Sequence, residues 1–157
     1  MFDMLVKLYD LPDMGPAVQL AEDKGYVIRR AMSYERTIVL SWLQELHTEW
    51  VDECAAAFTQ NPVACFIATK DGRIVGFANY DVVAKNMFGP TGVEECERGQ
   101  GIGLALLLVC LQQMRSNSYA YAVIGGVGPQ QFYEKAVGAV PIQGSTPGVY
   151  IDRLRKL

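Results

Sequence analysis

At 157 residues with a net charge of −3 and no basic run, the chain is sized for one domain and lacks the clustered Lys and Arg of a nucleic-acid surface. Half of its residues are hydrophobic and a fifth are charged, which excludes long disorder and provides for a sizeable core. No stretch reaches the roughly 18 uninterrupted apolar residues of a membrane span, and no basic-then-apolar leader opens the sequence, so a cytoplasmic location is expected.

Asp3–Asp10 alternate as a short strand, and after Pro12 residues 13–24 form a short helix closed by Gly25. Tyr26–Met32 is a second strand. Ser33 is placed to cap the next helix, with Arg36 standing where a capping box has its acid. Ile38, Leu40, Trp42, Leu43 and Leu46, then Trp50, Val51, Cys54, Ala57 and Phe58, recur at spacings of three and four. They predict two helices, 34–46 and 48–59, with buried faces, the second ended by Asn61-Pro62. A hairpin follows, Ala64–Thr69 and Arg73–Val83, about an Asp71-Gly72 turn. Asn86–Glu95 is the next strand, bent at Gly89-Pro90. Then come a helix over 102–115, a strand Tyr119–Ile124, a glycine-rich turn over 125–128 and a helix from Pro129 to Val137. Ala139–Gln143 and Val149–Leu154 read as closing strands around a Gly144–Gly148 loop. An antiparallel hairpin followed by a β-α-β unit predicts an α/β fold, a mixed sheet with helices on both faces.

The feature with most chemical content is Arg98-Gly99-Gln100-Gly101-Ile102-Gly103, between a strand and an apolar helix. Glycines at a helix start leave backbone N–H groups uncovered, and the helix dipole and Arg98 add positive charge, so an anionic, phosphate-bearing ligand is expected. A Walker A loop would continue Gly-Lys-Ser/Thr, but Leu104-Ala105 follow Gly103. A dinucleotide fingerprint needs a third glycine three residues after the second, where Leu104 or Leu106 stands. His47 is the single histidine, and Cys54, Cys65, Cys96 and Cys110 show no paired spacing. A metal site is therefore not expected, and the thiols read as small buried hydrophobes.

Arg98, Gly101 and Gly103 fit R/Q-x-x-G-x-G/A, with Val93 five residues upstream and Phe132-Tyr133-Glu134-Lys135 about thirty downstream. In these motifs the chain resembles the GNAT superfamily of acetyl-CoA-dependent N-acetyltransferases over about residues 26–154, with 1–25 an added strand and helix on a single N-acetyltransferase domain, 1–157. Glu95 stands where that family usually has proline. Gly126 and Pro129 replace its frequent Asn and Ala, and Ala139 its Phe.

The resemblance implies acetyl transfer from acetyl-CoA to an amine. The pyrophosphate would take the N–H groups of Gly99, Gln100, Gly101, Ile102, Gly103 and Leu104, with the Arg98 side chain. The pantetheine arm would pair with the strand edge from Thr91, and the Val93 N–H would polarise the thioester carbonyl. Phe132 and Tyr133 would complete the cofactor segment, with Tyr133 protonating the leaving thiolate as general acid. Glu94 and Glu95, beside Asp81 and His47, are candidates for the base that deprotonates the amine. Trp42, Trp50, Tyr80 and Phe88 are candidate walls of an acceptor pocket. The expected acceptor is a small-molecule amine. A non-catalytic acyl-CoA sensor and a protein lysine or N-terminal acetyltransferase are the alternatives. Dimerisation through the final strands or the N-terminal strand follows by family analogy.

Overall fold

The computed structural model describes residues 1–155. Seven strands form one sheet in the order β2-β3-β4-β5-β6-β1-β7. They are β1 (Met4–Lys7), β2 (Val27–Arg30), β3 (Cys65–Lys70), β4 (Arg73–Tyr80), β5 (Met87–Val93), β6 (Tyr121–Ile124) and β7 (Val140–Pro141). All neighbours are antiparallel except β5 and β6. Five α-helices cover the sheet: α1 (Gly15–Asp23), α2 (Arg36–Leu46), α3 (Val51–Ala57), α4 (Ile102–Ser116) and α5 (Gln130–Val137). The expected α/β class and mixed sheet are found.

α4 is buried at Ile102, Ala105, Leu106, Leu107, Leu108, Cys110, Leu111 and Met114, more than one stripe, because it lies between the sheet and α1. On the opposite sheet face, Trp42 of α2 and Trp50 at the start of α3 close edge-on and tilted upon Phe77 of β4, at 5.9 and 6.0 Å between rings. At the hairpin, Asp71 and Gly72 both take positive φ, +51° and +75°, as a two-residue turn that matches strand twist requires.

The sequence reading departs from the structure at several edges. The first strand stops at Lys7, where Leu8–Asp10 tighten into a 3₁₀ turn. β1 takes an interior place between β6 and β7, with Met4 opposite both Ile124 and Pro141, and α1 packs against α4 and β2. The second closing strand, Val149–Leu154, does not form. Gly148–Tyr150 make a 3₁₀ turn instead, and the sheet position beside β6 is already filled by β1. α2 begins at Arg36 after a 3₁₀ turn Ser33–Glu35. Glu35 accepts the Met32 N–H at 2.8 Å and is held by Arg29 through two nitrogens, so the entry to the helix is fastened at Met32 and not capped by the Ser33 side chain. Arg29 holds the Glu35 carboxyl below its usual range. Pro129 precedes α5 rather than opening it. Glu95 leaves the strand and starts a 3₁₀ turn, Glu95–Glu97.

Candidate active site

β5 and β6 share only two register pairs, Met87 with Val123 and Phe88 with Ile124. Beyond them β5 carries two residues, Gly89 and Pro90, opposite the single Asn79 of β4, and this bulge bends β5 away from β6. Thr91, Gly92 and Val93 still pair with β4, at Ala78, Phe77 and Gly76, but have no strand on their other side. The Glu94 N–H bonds the Val75 carbonyl at 2.9 Å, so the alternation of an antiparallel pair turns the Val93 amide the other way, into the opening.

The chain then turns through Glu95–Glu97 to the glycines. Gly99 and Gly101 sit at φ +77° and +85°, a left-handed backbone that side chains with Cβ rarely adopt. Gly101 caps α4, and its carbonyl takes the first helical bond, from the Ala105 N–H at 3.1 Å. Among the described residues no backbone N–H from Gly99 to Leu104 has an acceptor. These donors lie at the positive end of a fifteen-residue helix, an arrangement that can hold an anion.

The opening is a cavity of about 490 Å³. Its lining brings together Thr91, Val93, Arg98, Gly99, Gly101, Ile102, Gly103, Leu104, Phe132 and Tyr133, from β5, the glycine turn and α5. Gln100 is not among them, and its carbonyl accepts from the ammonium of Lys24, just past α1, at 3.2 Å. Arg98 folds its Nε–H back to the Val93 carbonyl at 3.3 Å, tying the strand edge to the loop. Glu97 also lines the cavity, and its carboxylate is engaged by the Tyr26 hydroxyl, whose pKa is pushed up to about 12, first by that bond and then by burial.

Tyr133 is 6% exposed and meets Phe88 edge-on. Burial raises its pKa, so the phenol stays protonated at neutral pH and can donate. The two block carboxylates fare differently. Glu94 accepts the Trp42 indole N–H at 2.7 Å on one oxygen and faces the Cys96 thiol at 3.8 Å with the other, while Glu95 is exposed on its turn. Neither lines the cavity. Of the candidate acceptor walls, only Trp50 reaches it. Trp42 is engaged with Glu94, Tyr80 bonds Arg30 on the α4 face, and Phe88 supports Tyr133 from the core. Cys54, Cys65 and Cys110 are buried, whereas Cys96 is exposed.

His47, Trp50, Leu107 and Pro129 join the lining as well. Gly92 explains the first two, because a Cβ there would lie 3.2 Å from Trp50 and 3.4 Å from His47 Nε2. A missing side chain lets the α2–α3 junction close on β5 without crowding, and no local sequence pattern announces such an approach.

A family model described as the acetyltransferase (GNAT) family matches residues 29–139. A comparison with curated proteins finds no match. Among solved structures, the GCN5-related glucosamine N-acetyltransferase region of a fungal multi-domain GH3 β-N-acetylglucosaminidase superposes with a TM-score of 0.74 at 13% identity. That alignment covers 90% of this chain and 19% of the other. A GCN5-related N-acetyltransferase from Sphaerobacter thermophilus gives 0.69 at 18% identity over 90% and 48%, and one from Kribbella flavida 0.56 at 17% over 89% and 53%. At these identities the likeness is one of fold, and the chain spans about half or less of each of these longer chains. The family match covers most of the sequence, including the glycine turn and Tyr133, and the chain belongs to the GNAT acetyltransferase family.

Proposed function

We propose that the protein transfers an acetyl group from acetyl-CoA to a primary amine of a small molecule. The observation that carries this reading is the convergence, in one cavity, of an unpaired strand edge, a row of unbonded N–H groups at a helix start and a buried phenol. Acetyl-CoA supplies a pyrophosphate, an amide-bearing arm and an activated thioester, and each has a matching group in the lining. The N–H groups of Gly99 to Leu104 and the free end of Arg98 suit the pyrophosphate. The Thr91–Val93 edge suits the amides, as an added strand. The Val93 N–H suits a carbonyl oxygen that gains charge during acyl transfer. Tyr133, kept neutral by burial, holds a proton for the departing sulfur.

The test is CoA release, followed by chromatography, with acetyl-CoA and a panel of glucosamine, spermidine, phenethylamine and lysine. Turnover with at least one amine is expected. Binding of acetyl-CoA without turnover would make the protein an acyl-CoA sensor instead. Tyr133→Phe is expected to lower turnover about 100-fold, the usual worth of a general acid, while CoA affinity stays within about twofold. Because burial raises its pKa, Tyr133 contributes no alkaline loss of activity below about pH 10.

A further inference from the structure

We propose that His47 is the general base of the reaction, taking the proton of the acceptor amine at Nε2. The proposal rests on the acetyl-transfer reading above and adds to it the group that activates the nucleophile.

Besides Glu97, whose carboxylate is engaged by the Tyr26 hydroxyl, four side chains are candidates by chemistry, and the fold sets three of them aside. Asp81 spends one oxygen on the Asn86 N–H at 2.8 Å and the other on the Tyr119 hydroxyl at 3.0 Å, holding its own turn. Glu94 is bound by Trp42, and Glu95 stands outside the cavity. His47 alone of the four lines the cavity that holds Tyr133.

Its placement is tightly determined. His47 joins α2 to the 3₁₀ turn Thr48–Trp50, and both of its backbone groups are engaged. The N–H bonds the Leu43 carbonyl at 2.7 Å, and its own carbonyl accepts the Trp50 N–H at 3.0 Å. The imidazole lies on the Trp50 ring, 4.4 Å between centroids and 32° from parallel. Nδ1 faces the Glu49 carboxylate, 3.8 Å from Oε1, and Nε2 is the atom 3.4 Å from the Cβ position that Gly92 leaves empty. The next residue is Val93, whose amide faces the opening. A nucleophile approaching a carbonyl held there therefore arrives beside Nε2. Besides Glu49, the charged or titratable groups around this space are Glu97, Arg98 and Tyr133.

The step balances as follows. The acceptor nitrogen forms a bond to the acetyl carbon and gives a proton to His47 Nε2. The carbon–sulfur bond breaks, and the sulfur leaves with the Tyr133 proton. Solvent then returns a proton from His47 to Tyr133.

The experiment compares wild type, His47→Gln and His47→Ala with whichever panel amine turns over, across pH, together with CoA affinity by calorimetry. Expected for His47→Gln is a fall in turnover of about 100-fold with CoA affinity within about twofold of wild type. The pH profile of turnover is expected to change shape in this variant, which a purely structural role would not cause. Exogenous imidazole should restore part of the turnover of His47→Ala, which a purely structural role would not allow. Wild-type turnover that survives in His47→Gln with an unchanged pH profile overturns this proposal alone. Loss of CoA binding in step with turnover, or no rescue by imidazole, also overturns it and makes His47 a wall. A wild-type protein that binds acetyl-CoA and acylates no amine overturns the parent reading, and this one with it.

Discussion

Gly101→Val is expected to weaken CoA binding by about 100-fold or more while leaving the fold intact. The difficulty is not space, since the nearest atom to an added Cβ is Leu20 Cδ2 at 3.7 Å. It lies in the backbone, where φ is +85° and a β-branched residue is a steric outlier. Valine will relax toward negative φ and swing Gln100 and Gly99 with it. The N–H groups that converge at the head of α4 then no longer share a target. α4 itself is anchored by Leu106, Leu107, Leu111 and Met114, each fully buried, so the helix should persist. Arg98→Ala tests the other component, and a smaller loss of about tenfold is expected, because an exposed charge acts through solvent and is screened by salt. Calorimetry with CoA at two salt concentrations separates the two, since the Gly101 effect should be nearly salt-independent. CoA affinity within about threefold of wild type in Gly101→Val would remove the glycine turn from the binding site.

Phe77→Ala should produce the largest loss of stability among single changes near the site. Phe77 is fully buried and wedged between Trp42 and Trp50, and its Cε1 lies 3.3 Å from where a Gly92 Cβ would be. Truncating such a side chain costs about 3–5 kcal/mol through lost burial and the cavity left behind. For a chain of this length that corresponds to a fall in melting temperature of about 6–20 °C. The measurement is direct, because the chain has two tryptophans and both pack against Phe77, so tryptophan emission responds to this contact. Turnover should fall more than CoA affinity does, since Phe77 supports the Trp50–His47 wall and not the glycine turn. An unchanged melting temperature with unchanged emission would mean that the Trp42–Phe77–Trp50 packing does not hold the site.

What could be read from the sequence divides along the distance over which each feature is determined. The Asp71-Gly72 turn and the Gly99–Gly103 cradle are local, since a few residues dictate their own backbone. The bend at Gly89-Pro90, and with it the splayed strand edge, follows from two residues that interrupt a ladder. The sheet position of β1 was not legible, because Met4–Lys7 carry no mark that distinguishes an appended strand from an interior one. Only the partners, Tyr121–Ile124 and Val140–Pro141, decide it. The expected closing strand at Val149 failed for the same reason, an apolar run being no guarantee of a vacant neighbour. His47 could be named as a candidate but not chosen, since its approach depends on the absence of a side chain at Gly92, far along the chain and on another element.

The interior place of β1 also bears on the order in which the molecule can assemble. β3, β4 and β5 pair with the strands next to them in sequence, and β2 joins β3 across two helices, so these four can associate before β6 is made. β1 is synthesised first but must wait for Ile124 and Val140 before it has anything to pair with. Until then Met4 and Val6, both fully buried in the finished protein, face solvent or a chaperone. Closing so long a loop makes the docking of the first strand a late event, on which β7 depends for its sole strand neighbour. The beginning of this chain is therefore among the last parts of the sheet to fold.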